Sequence, residues 1–306
     1  MRYRAGGGDE AEDPMNRHYD RTAEDLGNMV GLEHVNVTIP DQQIATLFYV
    51  TGLGLTRDPY LMTSTNNMWI NVGRSQFHLP TGAPQVVRGH VALVIPSREA
   101  LLRRLSTLRK PLEGTRFDFH ERNSYVEVIQ PWGNVLRCYE PEERFGRITL
   151  GISYVEFEVP QGAADGIARF YGEVVETPAH VLEDAQGRAA HAMVGLKQEL
   201  VYRETDRPLA DYDGHHVQIY VTDFSGLHQR LSERDLVFEE SDQWQYRFKN
   251  MVDLDSGKLL YTIEHEIRSM THPLFARPLV NRNPDQTNTR YAPGHDAWSW
   301  QMQHTH

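Results

Sequence analysis

The chain has 306 residues, 40% of them hydrophobic, and a formal net charge of −11 at pH 7. This length is enough for two ordinary domains with apolar cores, whereas the acidic balance excludes the basic footprint that a nucleic-acid partner requires. Cys138 is the single cysteine, which excludes a disulfide framework and a thiolate metal cluster. We therefore expect a cytoplasmic protein that acts on small molecules, with no apolar run of about 18 residues to span a membrane.

The two ends of the chain differ in composition from its middle. Residues 1–30 are rich in glycine and acidic residues and poor in large aliphatic side chains, so we expect a flexible leader. Residues 269–306 lose the strand periodicity and are rich in proline, asparagine and arginine, but they keep several large apolar side chains. We expect this C-terminal extension to pack on the domains that precede it.

The middle of the chain begins with the alternating sequence GLEHVNVTIP at Gly31, which predicts a strand with His34 on its inward face. Asp41 follows as a helix cap, and the spacing of Ile44, Leu47 and Phe48 predicts a helix to about residue 50. Three further strands are predicted near Thr56, over 68–72 and over 76–79. The order of this unit is βαβββ.

The opening strand returns three times, as RGHVALVIP, GISYVEFEVP and DGHHVQIYV. The offset between the halves is nearly constant: 120 positions from His34 to Tyr154, 126 from His90 to His216, and 124 from Gly133 to Gly257. Such self-similarity predicts a duplicated fold. We expect two modules, at 31–145 and 150–268, each made of two βαβββ units.

Paired βαβββ units with an inward histidine on their first strands, and a PWGN turn before a last strand, resemble the vicinal oxygen chelate superfamily. This group includes glyoxalase I, extradiol ring-cleaving dioxygenases and the bleomycin resistance proteins. The resemblance implies an α+β fold in which two βαβββ units curl into a cupped, eight-stranded mixed sheet. It also implies a divalent metal inside a cup, on residues from the first, fourth, fifth and eighth strands, with two histidines and one carboxylate in the oxygenases.

Transferred to this sequence, the resemblance places His34 and His90 at the two histidine positions of the first module and His78 at the fourth-strand position. The carboxylate usually stands four residues after the turn glycine, but Arg137 occupies that position here. Glu140 is the nearest alternative, although an odd step turns it to the opposite face of the strand. The implied metal set is therefore His34, His78 and His90, with Glu140 as the candidate carboxylate.

Arg137 cannot ligate a metal, so we expect it to face an anionic group of the substrate, with Tyr139 beside it as a second candidate catalytic residue. In the second module the equivalent positions are Tyr154, His216 and Tyr261. Phenols ligate metals poorly at neutral pH. We therefore expect these three residues to contact substrate rather than metal.

Two modules in one chain favour a metal-dependent enzyme of the ring-cleaving dioxygenase type, with Fe(II) preferred and Mn, Zn or Ni left open. The metal would act as a Lewis acid and as a template for a small oxygenated substrate. Two alternatives remain: a metal-free ligand-binding or resistance-type protein of the same fold, and a glyoxalase-type lyase or isomerase. The fold itself hosts all three functions, and a homo-oligomer is also left open.

Overall fold

A computed structural model describes residues 20–61 and 64–297. Most of the expected leader, residues 1–19, and the last residues, 298–306, lie outside the described part of the chain. The strands are β1 (Met29–Asn36), β2 (Thr56–Arg57), β3 (Asn67–Val72), β4 (Ser75–Pro80), β5 (Gly89–Val94), β6 (Asp118–Glu121), β7 (Val126–Ile129), β8 (Val135–Tyr139), β9 (Gly151–Pro160), β10 (Ala179–Asp184), β11 (Gly187–Met193), β12 (Glu199–Thr205), β13 (His216–Val221), β14 (Val237–Asp242), β15 (Gln245–Val252) and β16 (Leu259–Ser269). The helices are α1 (Gln42–Ala45), α2 (Arg98–Leu108), α3 (Ala164–Phe170) and α4 (Phe224–Ser232).

The four βαβββ units expected from the repeat are confirmed, each with one helix after its first strand. Asp41 caps α1, its carboxylate accepting from the backbone N–H groups of Gln43 and Ile44 at 2.7 and 2.9 Å, and π-helical turns continue that helix over Thr46–Gly52. Ser97 caps α2 in the same way through the N–H of Ala100. These caps satisfy donors that the first turn of a helix leaves free.

The strands form two eight-stranded mixed sheets. The first sheet has the order β14-β15-β16-β13-β1-β4-β3-β2, and the second has the order β10-β11-β12-β9-β5-β8-β7-β6. The first sheet therefore joins the first and fourth units, and the second sheet joins the second and third. We had expected each half of the sequence, 31–145 and 150–268, to form its own sheet, and the observed pairing differs.

The pairing that joins the outer units is antiparallel, between β1 and β13, and the pairing that joins the inner units is antiparallel, between β5 and β9. Within every unit the first and last strands are parallel neighbours. The sequence repeat specifies the units but not which units become neighbours, because all four first strands carry similar alternating patterns.

The apolar faces of both sheets share one continuous core. Helix α3 contacts strands of both sheets, including β11 and β15, and its residue Phe170 is fully buried. None of the helices in the described residues combines the length and the apolar character needed to cross a bilayer.

The C-terminal extension crosses the first unit as a strap, residues 272–283. Arg277 forms a 2.8 Å ion pair with the fully buried carboxylate of Asp58, and the side chain of Asn281 bonds both backbone groups of Gly73 at 2.9 Å. The strap is thus held by specific polar contacts to the loop and turn beside β2 and β3.

Candidate metal centre

The first-strand histidine of the chain, His34, is held inward by an irregularity of β1. The register between β1 and β13 shifts between Leu32 and His34, so both Glu33 and His34 are buried, at 8% and 1% exposure. In a regular strand these neighbours would face opposite sides. The bulge lets the Glu33 carboxylate reach the Nδ1 of His34 at 3.0 Å.

Two residues from the fourth unit complete a cluster around His34. His216 begins β13 and Glu266 lies near the end of β16, and both are buried. One ligand atom from each of His34, His216 and Glu266 lies within 4.8 Å of the other two. The 2-His-1-carboxylate set thus comes from two units at opposite ends of the sequence.

The donor atoms of this cluster fit a metal ion. The Nε2 atoms of His34 and His216 are both buried. That of His34 has no hydrogen-bond partner among the described residues, and that of His216 lies 3.4 Å from Oε2 of Glu266. Each Nδ1 faces a carboxylate, that of Glu33 at 3.0 Å and that of Glu264 at 3.5 Å. A carboxylate on Nδ1 fixes the tautomer that leaves Nε2 free to ligate, as is usual for metal-bound histidine.

Two arginines surround the carboxylate of Glu266. Arg268 lies 2.6 Å from Oε1 and Arg247 donates to Oε2 at 2.7 Å. Burial alone would raise the pKa of Glu266, but the hydrogen bond with His216 and the charges nearby hold it well below its ordinary value. The two guanidiniums are paired with three carboxylates, those of Glu33, Glu264 and Glu266. Together these five groups carry a net charge of −1, which attracts a cation.

His78 on β4 stands beside the cluster. Its ring centroid is 5.5 Å from that of His34, and it stacks on Trp69 with 3.8 Å between the ring centroids. Its Nε2 is buried and lacks a partner in the described residues. Burial, together with the nearby His34 and His216, lowers the pKa of His78 to about 2. It is therefore a neutral imidazole at physiological pH.

A cavity of about 730 Å³ lies next to this cluster, between the ends of the two sheets and the C-terminal strap. Most of its lining is apolar, including Leu32, Leu150 and Phe275. Its polar part includes Glu33 and Tyr220, whose hydroxyl donates to the Glu33 carboxylate at 3.1 Å. The cavity thus offers room for a small organic molecule beside Glu33, while His34, His216 and Glu266 do not belong to its lining.

The sequence matches no family model and no curated protein. Among solved structures, glyoxalase I from Zea mays aligns with a TM-score of 0.55 at 11% identity, over 79% of this chain and 93% of that one. A candidate dioxygenase of Bacillus subtilis subsp. subtilis str. 168 aligns with a TM-score of 0.52 at 15% identity, over 80% of this chain and 86% of that one. The chain has the two-module vicinal oxygen chelate fold.

The two sheets separate residues that were expected to form one metal site. His90 lies in the second sheet, where its Nε2 is 3.3 Å from the Tyr154 hydroxyl, so it does not join His34. Glu140 is exposed and accepts from the backbone N–H of Arg98 at 3.1 Å, away from both histidines. Only His34 and, at its edge, His78 of the expected metal set belong to the observed cluster.

Four further candidates can also be placed in the structure. His216 was expected to contact substrate, but one of its ring nitrogens lies within 4.8 Å of ligand atoms of His34 and Glu266. Arg137 and Tyr139 belong to the second sheet, with Tyr139 bonded to Tyr154 at 3.0 Å. Tyr261 points into the core, under the guanidinium of Arg88 at 4.3 Å. The second sheet therefore gathers its own set of polar residues.

Glu266 was not expected as a ligand because the hairpin before β16 is longer than the corresponding hairpin before β8. Arg137 stands four positions after Gly133, whereas Glu266 stands nine positions after Gly257. Strand β16 spans 11 residues and β8 only 5, so counting four from the glycine leads to Tyr261, on the other face. The signal available in the sequence was the alternation Glu264, Glu266, Arg268, which places three charges on one face of a strand.

Proposed function

We propose that this chain is a metal-dependent enzyme that acts on a small oxygenated organic substrate, with His34, His216 and Glu266 as metal ligands. The observation that carries the proposal is the convergence of two imidazoles and one carboxylate in a buried site, with the Nε2 of His34 left without a partner among the described residues. Buried polar atoms rarely lack a partner unless a ligand or an ion completes them.

Neighbouring residues of the chain orient the three ligand side chains without the help of a metal. Glu33 and Glu264 hold the imidazoles of His34 and His216 in one tautomer, and Arg247 and Arg268 keep the Glu266 carboxylate ionised and oriented. When bound, a divalent metal would supply a Lewis acid that polarises and orients two neighbouring oxygens of the substrate. With a net charge of −1 on the protein groups, the loaded site would carry +1, which suits a deprotonated substrate.

This ligand set favours Fe(II) as the metal and dioxygenation as the reaction. Two histidines and one carboxylate leave coordination positions free, and that arrangement is typical of non-haem Fe(II) oxygenases. The neutral imidazole of His78, close to His34, places a further buried nitrogen without a partner in the described residues beside the proposed metal position. The similarity to a candidate dioxygenase supports the same choice at the level of fold.

Oxygen uptake by the iron-loaded protein tests this function. The full chain, reconstituted with Fe(II) without oxygen, is mixed with a panel of catechols and aromatic 2-oxo acids in an oxygen electrode. We expect substrate-dependent uptake that Glu266→Gln and His216→Ala abolish. His191→Ala is the matched control, because this half-buried histidine lies in the second sheet and bonds Glu199 at 2.9 Å; its uptake should equal that of the parent.

The same experiment separates the two alternatives. Turnover of substrate that needs metal but consumes no oxygen would indicate a glyoxalase-type lyase or isomerase, which the similarity to a plant glyoxalase I keeps as the second candidate. Binding without metal and without turnover would contradict the proposal and favour a metal-free binding protein.

A further inference from the structure

The polar face of the second sheet can be compared with the metal cluster position by position. Antiparallel pairing sets His34 opposite Gln218 in the first sheet and Tyr154 opposite Ala92 in the second. By the same register His216 corresponds to His90. Parallel pairing sets Glu266 beside Gln218, and Arg137 beside Ala92. The ligand set His34, His216 and Glu266 is therefore replaced by Tyr154, His90 and Arg137.

This replacement changes the charge of the second site. A guanidinium has no lone pair for a metal and repels cations. Burial and the charges of Arg137 and Arg203 lower the pKa of His90 to about 3, so its imidazole is neutral. Tyr154 keeps its proton, because burial raises the pKa of its phenol well above the ordinary value. The second site thus carries one positive charge where the first carries a carboxylate.

Arg137 lacks an ionic partner within the described residues. Its Nε is buried without a hydrogen bond, while its guanidinium lies 5.3 Å from the centre of the Tyr125 ring. Half-buried arginines elsewhere in the protein, such as Arg203 and Arg247, are paired with carboxylates. A partly desolvated guanidinium with an unbonded Nε and no ion pair has donors free for an anionic ligand.

The carboxylates near Arg137 are already engaged by other groups. Glu127 lies directly across the strand pair from Arg137 but binds Arg122 at 2.7 Å. Glu156 pairs with Arg203 at 3.2 Å, and Arg203 also binds Asp184. These pairs leave Arg137 without an ion pair of its own among the described residues, although the charge of Glu156 still acts on its guanidinium.

Aromatic rings surround the guanidinium. The ring centroids of Tyr125 and Tyr139 are 5.2 Å apart, and those of Tyr139 and Tyr154 are 6.4 Å apart. The hydroxyls of Tyr139 and Tyr154 bond each other and continue to the Nε2 of His90. The rings therefore present flat apolar surface beside the charge, and their polar ends are satisfied internally.

We propose that the second sheet carries a separate binding site for a small organic carboxylate, with the carboxylate on the Arg137 guanidinium and a planar apolar body against Tyr125. Arginine binds carboxylates through two parallel N–H···O bonds, and a carboxylate would satisfy the orphaned Nε. This site does not depend on a metal at His34, and its failure would leave the proposed function untouched.

Benzoate is the probe that tests this site, with benzamide as its uncharged analogue. The full chain is titrated with each compound by calorimetry, and the Nε–Hε resonance of Arg137 is followed by NMR. We expect saturable benzoate binding that shifts this resonance, no measurable benzamide binding, and a loss of affinity of at least about tenfold in Arg137→Gln. A bidentate charge-assisted pair is worth this much when it is partly desolvated.

Two controls keep the result specific. Glu266→Gln, in the other sheet, should bind benzoate like the parent, and Arg137→Gln should retain the parent's metal content and thermal unfolding midpoint. Equal binding of benzoate and benzamide, equal affinity of Arg137→Gln and parent, or an Arg137 resonance that does not move would each overturn the proposal. So would the absence of benzoate binding to the parent protein.

Discussion

Replacing Glu33 isolates the contribution of a residue that touches the metal ligand but not the metal. Its carboxylate accepts the Nδ1 proton of His34 at 3.0 Å and pairs with Arg268 at 2.8 Å. Groups in this position typically change metal affinity by about 10- to 100-fold, or roughly 1.4 to 2.7 kcal/mol. Glu33→Gln keeps an oxygen that can accept from Nδ1 and removes only the charge, so we expect a loss near tenfold. Glu33→Ala also removes the orientation of the ring, and we expect a loss near 100-fold.

The assay is competition for Zn²⁺ between the protein and a chromophoric chelator near neutral pH, at matched ionic strength. Glu264→Gln provides the comparison, because its carboxylate is 3.5 Å from the Nδ1 of His216 and should matter less. Arg268 keeps Glu266 as a partner in every Glu33 variant, so the fold should persist, which circular dichroism can verify. If Glu33→Ala binds zinc as tightly as the parent, the account of how His34 is oriented is incorrect.

Three further predictions concern stability. Tyr171→Phe removes the hydroxyl that lies 2.5 Å from the buried Nε2 of His265; we expect urea unfolding to show a loss of about 1–3 kcal/mol, and an unchanged midpoint would count against this bond. Burial lowers the pKa of His90 to about 3, so the unfolded chain takes up a proton here at a higher pH than the folded chain. The stability present above about pH 6.5 should therefore fall by several kcal/mol as the pH drops toward 3, which urea unfolding at a series of pH values measures against a His90→Gln variant that should fall less. Arg277→Ala leaves the buried Asp58 carboxylate without its ion pair; we expect a loss of about 3 kcal/mol and faster proteolysis in the strap, and Asp58→Asn in the same chain should restore part of it.

The sequence carried enough information for the units but not for their arrangement. Alternation around His34 and the recurrence of its pattern predicted the βαβββ order, because both depend on local periodicity. The joining of β1 to β13 depends instead on which of four similar strands meet, a long-range choice that no local pattern records. Once β1 meets β13, His216 rather than His90 becomes the partner of His34. Glu266 was hidden for a different reason, since a longer hairpin changes the count from the turn glycine without changing the register of the strand.

The metal content of the purified chain tests the central claim most directly. Protein made without an affinity tag is loaded with Fe(II) or Zn²⁺, dialysed, and measured by elemental analysis beside the variants His34→Ala, His216→Ala and His90→Ala. The account predicts about one equivalent in the parent and in His90→Ala, and almost none in His34→Ala or His216→Ala. Loss of metal in His90→Ala with retention in His216→Ala, or a metal-free parent, would contradict it.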